Sequence, residues 1–259
     1  MFFKIKVFFI SLLTLIAIVS CSSRNKAVEE CAEYAKFGIP SQEGEILCYE
    51  GEMIDYNQER KTPIWVIEHL TKEKVKKQGI KREGFNFEPD PNLERGKRAE
   101  LEDYHDSGYD RVHMAPADDM EWSSKAMQQC FYLSNMIPQS INVNRGIWSH
   151  LEEKVRKWAM ERGELYVYTG PIYLGKSWKT IGQNKVAVPN FIFKIVFDPQ
   201  EMEACAFIIP NKTLEHHVIY RYLVSIREVE EKTHLNFLSE LDSKTQDKIE
   251  KVKPEKMWQ

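Results

Sequence analysis

Short apolar runs and helically spaced apolar positions alternate along this chain, and the switches between them mark its elements. Met53-Ile54-Asp55-Tyr56 and Pro63-Ile64-Trp65-Val66-Ile67 read as two strands around a polar turn at 57–61. Residues 69–100 are rich in charge, carry Pro89, Asp90, Pro91 and Asn92, and read as an irregular excursion over the surface. Tyr109 to Met114 suggests a short strand end and Ser123 to Cys130 a short helix. Phe131, Leu133 and Met136 suggest a buried strand stopped by Pro138. The clearest helix spans Asn144 to Arg162, where Ile147, Leu151, Val155, Trp158 and Ala159 recur at helical spacing before a natural stop at Gly163. Strands are expected at 165–169, 186–188, 191–197 and 204–209. Helix returns with Leu223, Ile226 and Val229 and again with Phe237, Leu238 and Leu241, and the charged tail from Thr245 is expected to fray. Strands and helices mix without βαβ regularity, which points to an α+β fold.

The N-terminus stands apart from this pattern. Lys4 and Lys6 precede an apolar run from Val7 to Val19, shorter than the about 20 residues a membrane span needs, and together they have the design of a secretory signal peptide over residues 1–20. Ile18-Val19-Ser20-Cys21 resembles a bacterial lipobox, which implies a lipid anchor at Cys21; the plainer alternative is a signal peptide cut nearby. Either way the protein is expected to be exported, as an envelope lipoprotein or a secreted protein. Residues 21–44 read as a tether, 45–240 as the folded domain and 241–259 as a charged C-terminal tail.

At 259 residues, 42% hydrophobic and 29% charged, the chain is ordinary for a globular protein and shows no internal repeat. Export places Cys31, Cys48, Cys130 and Cys205 in an oxidising compartment, and no CxxC pair supports a thiolate zinc site. Cys31 and Cys48 can close a local loop, though spacing alone does not fix connectivity. The formal charge of −3 becomes −5 once residues 1–20 are lost, so a nucleic-acid ligand requires a local basic surface.

Three segments carry chemistry: Asp110-Arg111-Val112-His113, Ser134-Asn135-Met136-Ile137-Pro138-Gln139, and Asn144 through Trp148 to Glu152. On a regular helix Asn144 and Glu152 are about 12 Å apart along the axis at roughly 1.5 Å per residue, too far for both to bind one ion directly. Asn144 then offers a hard, neutral oxygen suited to Mg²⁺ or Mn²⁺, while Glu152 acts through water or by holding an arginine. His113 has the chemistry of a general base toward water. Arg111, on the same side of an extended segment, can bind phosphate or neutralise Glu152, and Asp110 faces the other way. Each signal has a blander reading: a lone histidine beside arginine is commonly structural, Asn144 is a ready N-cap, and Trp148 belongs in a core. His216-His217 has no metal-ligand spacing and reads as a surface pair.

The conjunction of the three segments resembles the DNA/RNA non-specific endonucleases with a ββα-metal site, the family of Serratia nuclease and mitochondrial endonuclease G. Its pattern is Asp-Arg-Gly-His, then Ser-Asn-x-x-Pro-Gln, then Asn-x-x-x-Trp-x-x-Leu-Glu. The likeness covers roughly residues 45–215, including Tyr109, Trp122, Ser123 and the Thr169-Gly170-Pro171 turn. It implies a central, mainly antiparallel sheet flanked by helices. It also implies sequence-non-specific hydrolysis of DNA and RNA phosphodiesters. By the same resemblance His113 is the general base, Asn144 the ligand of one Mg²⁺ (Mn²⁺ as substitute), and Arg111 a phosphate contact. Asn135 holds the site and Glu152 lies in the outer surroundings of the metal. Arg82 is a weaker match to an upstream arginine, and a homodimer is the assembly common in the family. Val112 departs from the family's glycine, which would misdirect His113 if that position required positive φ. The alternative function is a catalytically silent envelope lipoprotein that binds nucleic acid or protein; a further rival is a phosphodiesterase acting on small or lipid-like diesters.

Overall fold

The computed structural model describes residues 28–214 and 218–258; the leader over 1–20, Cys21 and the His216-His217 pair lie outside them. Seven antiparallel strands form the central sheet: β1 (Glu45–Cys48), β2 (Met53–Asn57), β3 (Thr62–Thr71), β6 (Glu164–Ile172), β9 (Phe191–Asp198), β10 (Glu203–Pro210) and β11 (Leu223–Val224), in that spatial order. Two ribbons stand beside it: β4 (Asp110–His113) with β5 (Met136–Gln139), and β7 (Thr180–Ile181) with β8 (Val186–Ala187). The helices are α1 (Lys72–Lys76), α2 (Ser124–Cys130), α3 (Ser149–Arg162), α4 (Ile226–Thr233) and α5 (Ser243–Glu250).

The middle strands are buried on both faces, which explains their nearly unbroken apolar sequence. On one face Val66, Leu70, Val167 and Val196 pack with Leu151, Val155, Trp158 and Ala159 of α3 and with the loops that carry the candidate site. On the other, Trp65, Ile67, Tyr166 and Ile195 pack with Ile226 and Val229 of α4, Phe237 and Ile249. At Gly170 any Cβ would meet the Ile64 carbonyl at 2.6 Å and the Phe193 ring at 2.7 Å, so glycine is required where β6 crosses its neighbours. Gly163, with φ of 93°, ends α3 at its C-cap.

Several expected boundaries move. Residues 31–44 are no tether: Cys31 is disulfide-bonded to Cys48, and Cys31 and Tyr34 are buried against the sheet. The C-terminal segment is no frayed tail, because α5 buries Ile249, and Trp158 Nε1 donates to the Trp258 carbonyl at 3.1 Å. The strand expected at 131–136 begins at Met136 and includes Pro138, which the two-stranded ribbon tolerates because its outer edge needs no ladder donor. Leu223 and Val224 extend the sheet as β11, and Phe237 and Leu238 lie outside the helices. Cys130 and Cys205 are free and buried.

Candidate active site

β4 and β5 pair in the register Arg111 to Pro138 and His113 to Met136, and this short ribbon presents His113. Val112 lies between them, 3% exposed and opposite Ile137, in ordinary extended backbone. The departure from glycine therefore imposes no strain on His113, since a β-branched residue suits a buried strand position. After the strand, Asn135 holds the following turn. Its Oδ1 accepts from Ala115 N at 3.0 Å, and its Nδ2 donates to the carbonyls of Ala115 and Cys130, both at 2.9 Å. Fully buried and engaged with backbone, Asn135 positions the His113 turn and cannot touch a substrate.

Asn144 sits where a regular helix was expected. A wide helical turn at Asn144–Trp148 precedes α3, and Gly146 breaks it with φ −125° and ψ −107°. The helical ruler from Asn144 to Glu152 therefore does not apply, and Asn144 is no N-cap. Its Nδ2 instead donates to Asp110 Oδ2 at 2.8 Å, and Arg145 donates to both oxygens of the same carboxylate at 3.1 Å. Asp110, expected to face away from the site, is the acceptor that orients this amide.

One cleft of about 270 Å³ gathers Arg82, Phe87, Arg111, His113, Asp118, Asn144, Ser149 and Glu152 in its lining. Four of the sequence-chosen residues, Arg111, His113, Asn144 and Glu152, thus converge, and Arg82 joins them. Phe87 and Phe131 wall His113, with ring centroids at 5.3 and 4.9 Å. The His113 Nε2 is buried without a hydrogen-bond partner. Burial, and next the charge of Arg82, pull the imidazole down to about 3, so it is neutral around pH 7. A neutral ring with an uncommitted nitrogen is able to accept a proton.

Glu152 is surrounded by Lys194, Asp119, Arg156 and Asp118; burial pushes its carboxyl up to about 7 against the pull of Lys194. Arg111 forms no ion pair among the described residues, so it does not neutralise Glu152; its guanidinium lies 4.7 Å over the Phe87 ring. Arg156 takes the place beside the acids, donating to Asp119 at 3.0 Å and pairing with Asp118 at 3.4 Å. The sequence reading missed Phe87, Asp118 and Arg156. Phe87 lies in an aperiodic segment that offers no signal, whereas Arg156, one turn after Glu152 on α3, was legible from spacing.

A family model described as DNA/RNA non-specific endonuclease matches residues 31–244. The chain belongs to that family. Nuclease C1 of Cunninghamella echinulata var. echinulata is 36% identical over 81% of this chain and 89% of its own length. Human mitochondrial nuclease EXOG is 34% identical over 85% of this chain, and the match spans 62% of EXOG's length. Human mitochondrial endonuclease G is 34% identical, covering 80% of this chain and 73% of its own. A solved chain from the EndoG/EndoGI complex, which describes EndoG inhibition, superposes with a TM-score of 0.77 at 31% identity, covering 83% of this chain and 94% of that one. The expected α+β class and central antiparallel sheet agree with this endonuclease fold. The family and these relatives bear the names of nucleases, which are phosphodiester hydrolases.

Proposed function

We propose that this chain is a metal-dependent, sequence-non-specific endonuclease that hydrolyses phosphodiester bonds of DNA and RNA. One observation carries the mechanism: the cleft that the neutral His113 lines also holds Asn144, whose amide nitrogen Asp110 has taken. His113 removes the proton of the attacking water with its neutral imidazole. Its low basicity rises when an anionic phosphodiester sits beside it and offsets Arg82, because a nearby negative charge favours the imidazolium. Arg82 and Arg111 hold the phosphate, and contact through phosphate rather than base edges accounts for the breadth of substrates.

The donor set fits one hard divalent ion. The Asn144 oxygen, left open by the Asp110 hold on its nitrogen, would take the ion, and water would complete the coordination. Glu152 serves it from the outer surroundings. Bound there, Mg²⁺, or Mn²⁺ in its place, supplies positive charge to the oxygens of the reacting phosphate. The Cys31–Cys48 disulfide supports export to an oxidising compartment, with a signal peptide over 1–20 and a lipid anchor at Cys21. Absence of radiolabelled fatty acid from the protein made in cells would remove the anchor.

Digestion of plasmid and RNA by purified residues 22–259, with Mg²⁺ and with EDTA, tests the reading. Cutting is expected with the metal only, and His113→Ala should lower it by about 10²- to 10⁴-fold with folding intact. Wild-type protein that binds nucleic acid but cuts nothing across Mg²⁺ and Mn²⁺ would sink it in favour of the silent binder.

A further inference from the structure

Of the chain's eleven arginines, five are neutralised among the described residues. Arg98, Arg145, Arg156, Arg162 and Arg227 all hold carboxylates within 4.0 Å. Arg60, Arg82, Arg95, Arg111 and Arg221 have no ion pair among the described residues, and neither does Lys179; the track is built from those that the following contacts link. Arg82 and Arg111 line the catalytic cleft. Arg60 and Lys179 lie far from them in sequence, and the fold connects all four.

The connection runs over aromatic rings. Arg111 lies 4.7 Å over Phe87. Tyr109, two residues before Arg111, carries Lys179 Nζ 5.0 Å over its ring. Trp178 follows, and Arg60 lies 4.8 Å from both the Trp178 and the Tyr173 ring. The far end is anchored by β8: Ala187 N donates to the Arg60 carbonyl at 2.9 Å, and the next amide, Val188 N, donates to the Lys179 carbonyl at 2.8 Å. Successive amides thus fix the Arg60 and Lys179 backbones on either side of the segment 187–188, and the Trp178 ring is what joins Arg60 to the Lys179 segment. Lys179 is exposed, and Arg60, Tyr109, Arg111 and Trp178 are half-buried, so rings and charges are accessible.

We infer that Arg111, Tyr109, Lys179, Trp178 and Arg60 form a track for the single-stranded polynucleotide segment flanking the scissile phosphate. The inference rests on the nuclease reading above and adds where the strand leaves the cleft. Uncompensated cations on a chain of net charge −3 suit a polyanion, and half-exposed rings suit base stacking without sequence readout. Glu102 and Asp106 share a second hollow with Arg111 and disfavour a polyanion there, which leaves the Tyr109–Lys179 direction. The track is continuous with the cleft through Arg111, a lining residue of both.

Binding of a labelled oligothymidylate in EDTA, measured across a salt series, tests the track without relying on turnover. Arg60→Ala and Lys179→Ala should each weaken binding and flatten the log–log salt slope by about 0.7, the value for one phosphate contact on a single strand. Trp178→Ala should weaken binding at least about fivefold and leave the slope unchanged. All three should hydrolyse bis(p-nitrophenyl) phosphate with Mg²⁺ as the wild type does, since that diester is too short to reach the track. Wild-type affinity and slope in the variants would overturn the inference, and so would an equal loss on the small diester. Lys179, on an exposed loop, decides the matter should Arg60→Ala misfold. Wild-type protein that neither binds nor cuts would instead overturn the nuclease reading.

Discussion

A carboxamide has a donor end and an acceptor end, and at Asn144 Asp110 takes the donor end. Without that carboxylate the amide can rotate and offer nitrogen where an ion requires oxygen. Asp110→Ala should therefore lower activity by about 10- to 100-fold, the usual cost of losing a partner that orients a metal ligand, with partial recovery at raised Mg²⁺. A Mg²⁺ titration of kcat/KM checks this; an unshifted midpoint would show that Asn144 needs no such hold. His113 makes a second residue-scale prediction. Its value near 3 lies below the ordinary 6.5, so the buried neutral ring stabilises the fold above 6.5 and loses that contribution as pH falls toward 3. In metal-free protein an NMR titration of His113 should be flat between about pH 5 and 8. An inflection within that window would mean the ring is hydrated.

At the scale of elements, local signals worked where one interaction dominated. The apolar periodicity of α3 and the stop at Gly163 were legible because packing on the sheet and a left-handed cap each leave a direct mark on sequence. The turn at Asn144–Trp148 was not, because its helical spacing continues through Gly146 while the backbone does not. The N-terminal segment likewise looked polar enough to be free, yet the Cys31–Cys48 bridge closes a loop with a sequence separation of 17. Chain-entropy arguments for a loop of that size give about 3 kcal/mol, so the double variant Cys31→Ser/Cys48→Ser should lose about that much in urea unfolding. Unchanged stability would show that burial of Tyr34 alone docks the segment.

For the whole molecule, the net charge of −3 opposes nucleic acid, so capture must depend on the few local cations around the cleft. Raised salt should therefore increase KM for long DNA steeply and leave hydrolysis of a minimal diester nearly unchanged; equal sensitivity of both would place the charge effect in the chemistry itself. By itself the sequence determined the α+β class, the family and four of the residues that line the cleft, because residue type and order carry these directly. Tertiary structure alone decided which way Asp110 faces, that Asn135 serves the backbone, that Arg82 enters the cleft and that Arg60 lies against the Trp178 ring. Each of these depends on contacts between segments distant in the chain, and such contacts are set by packing rather than by local preference.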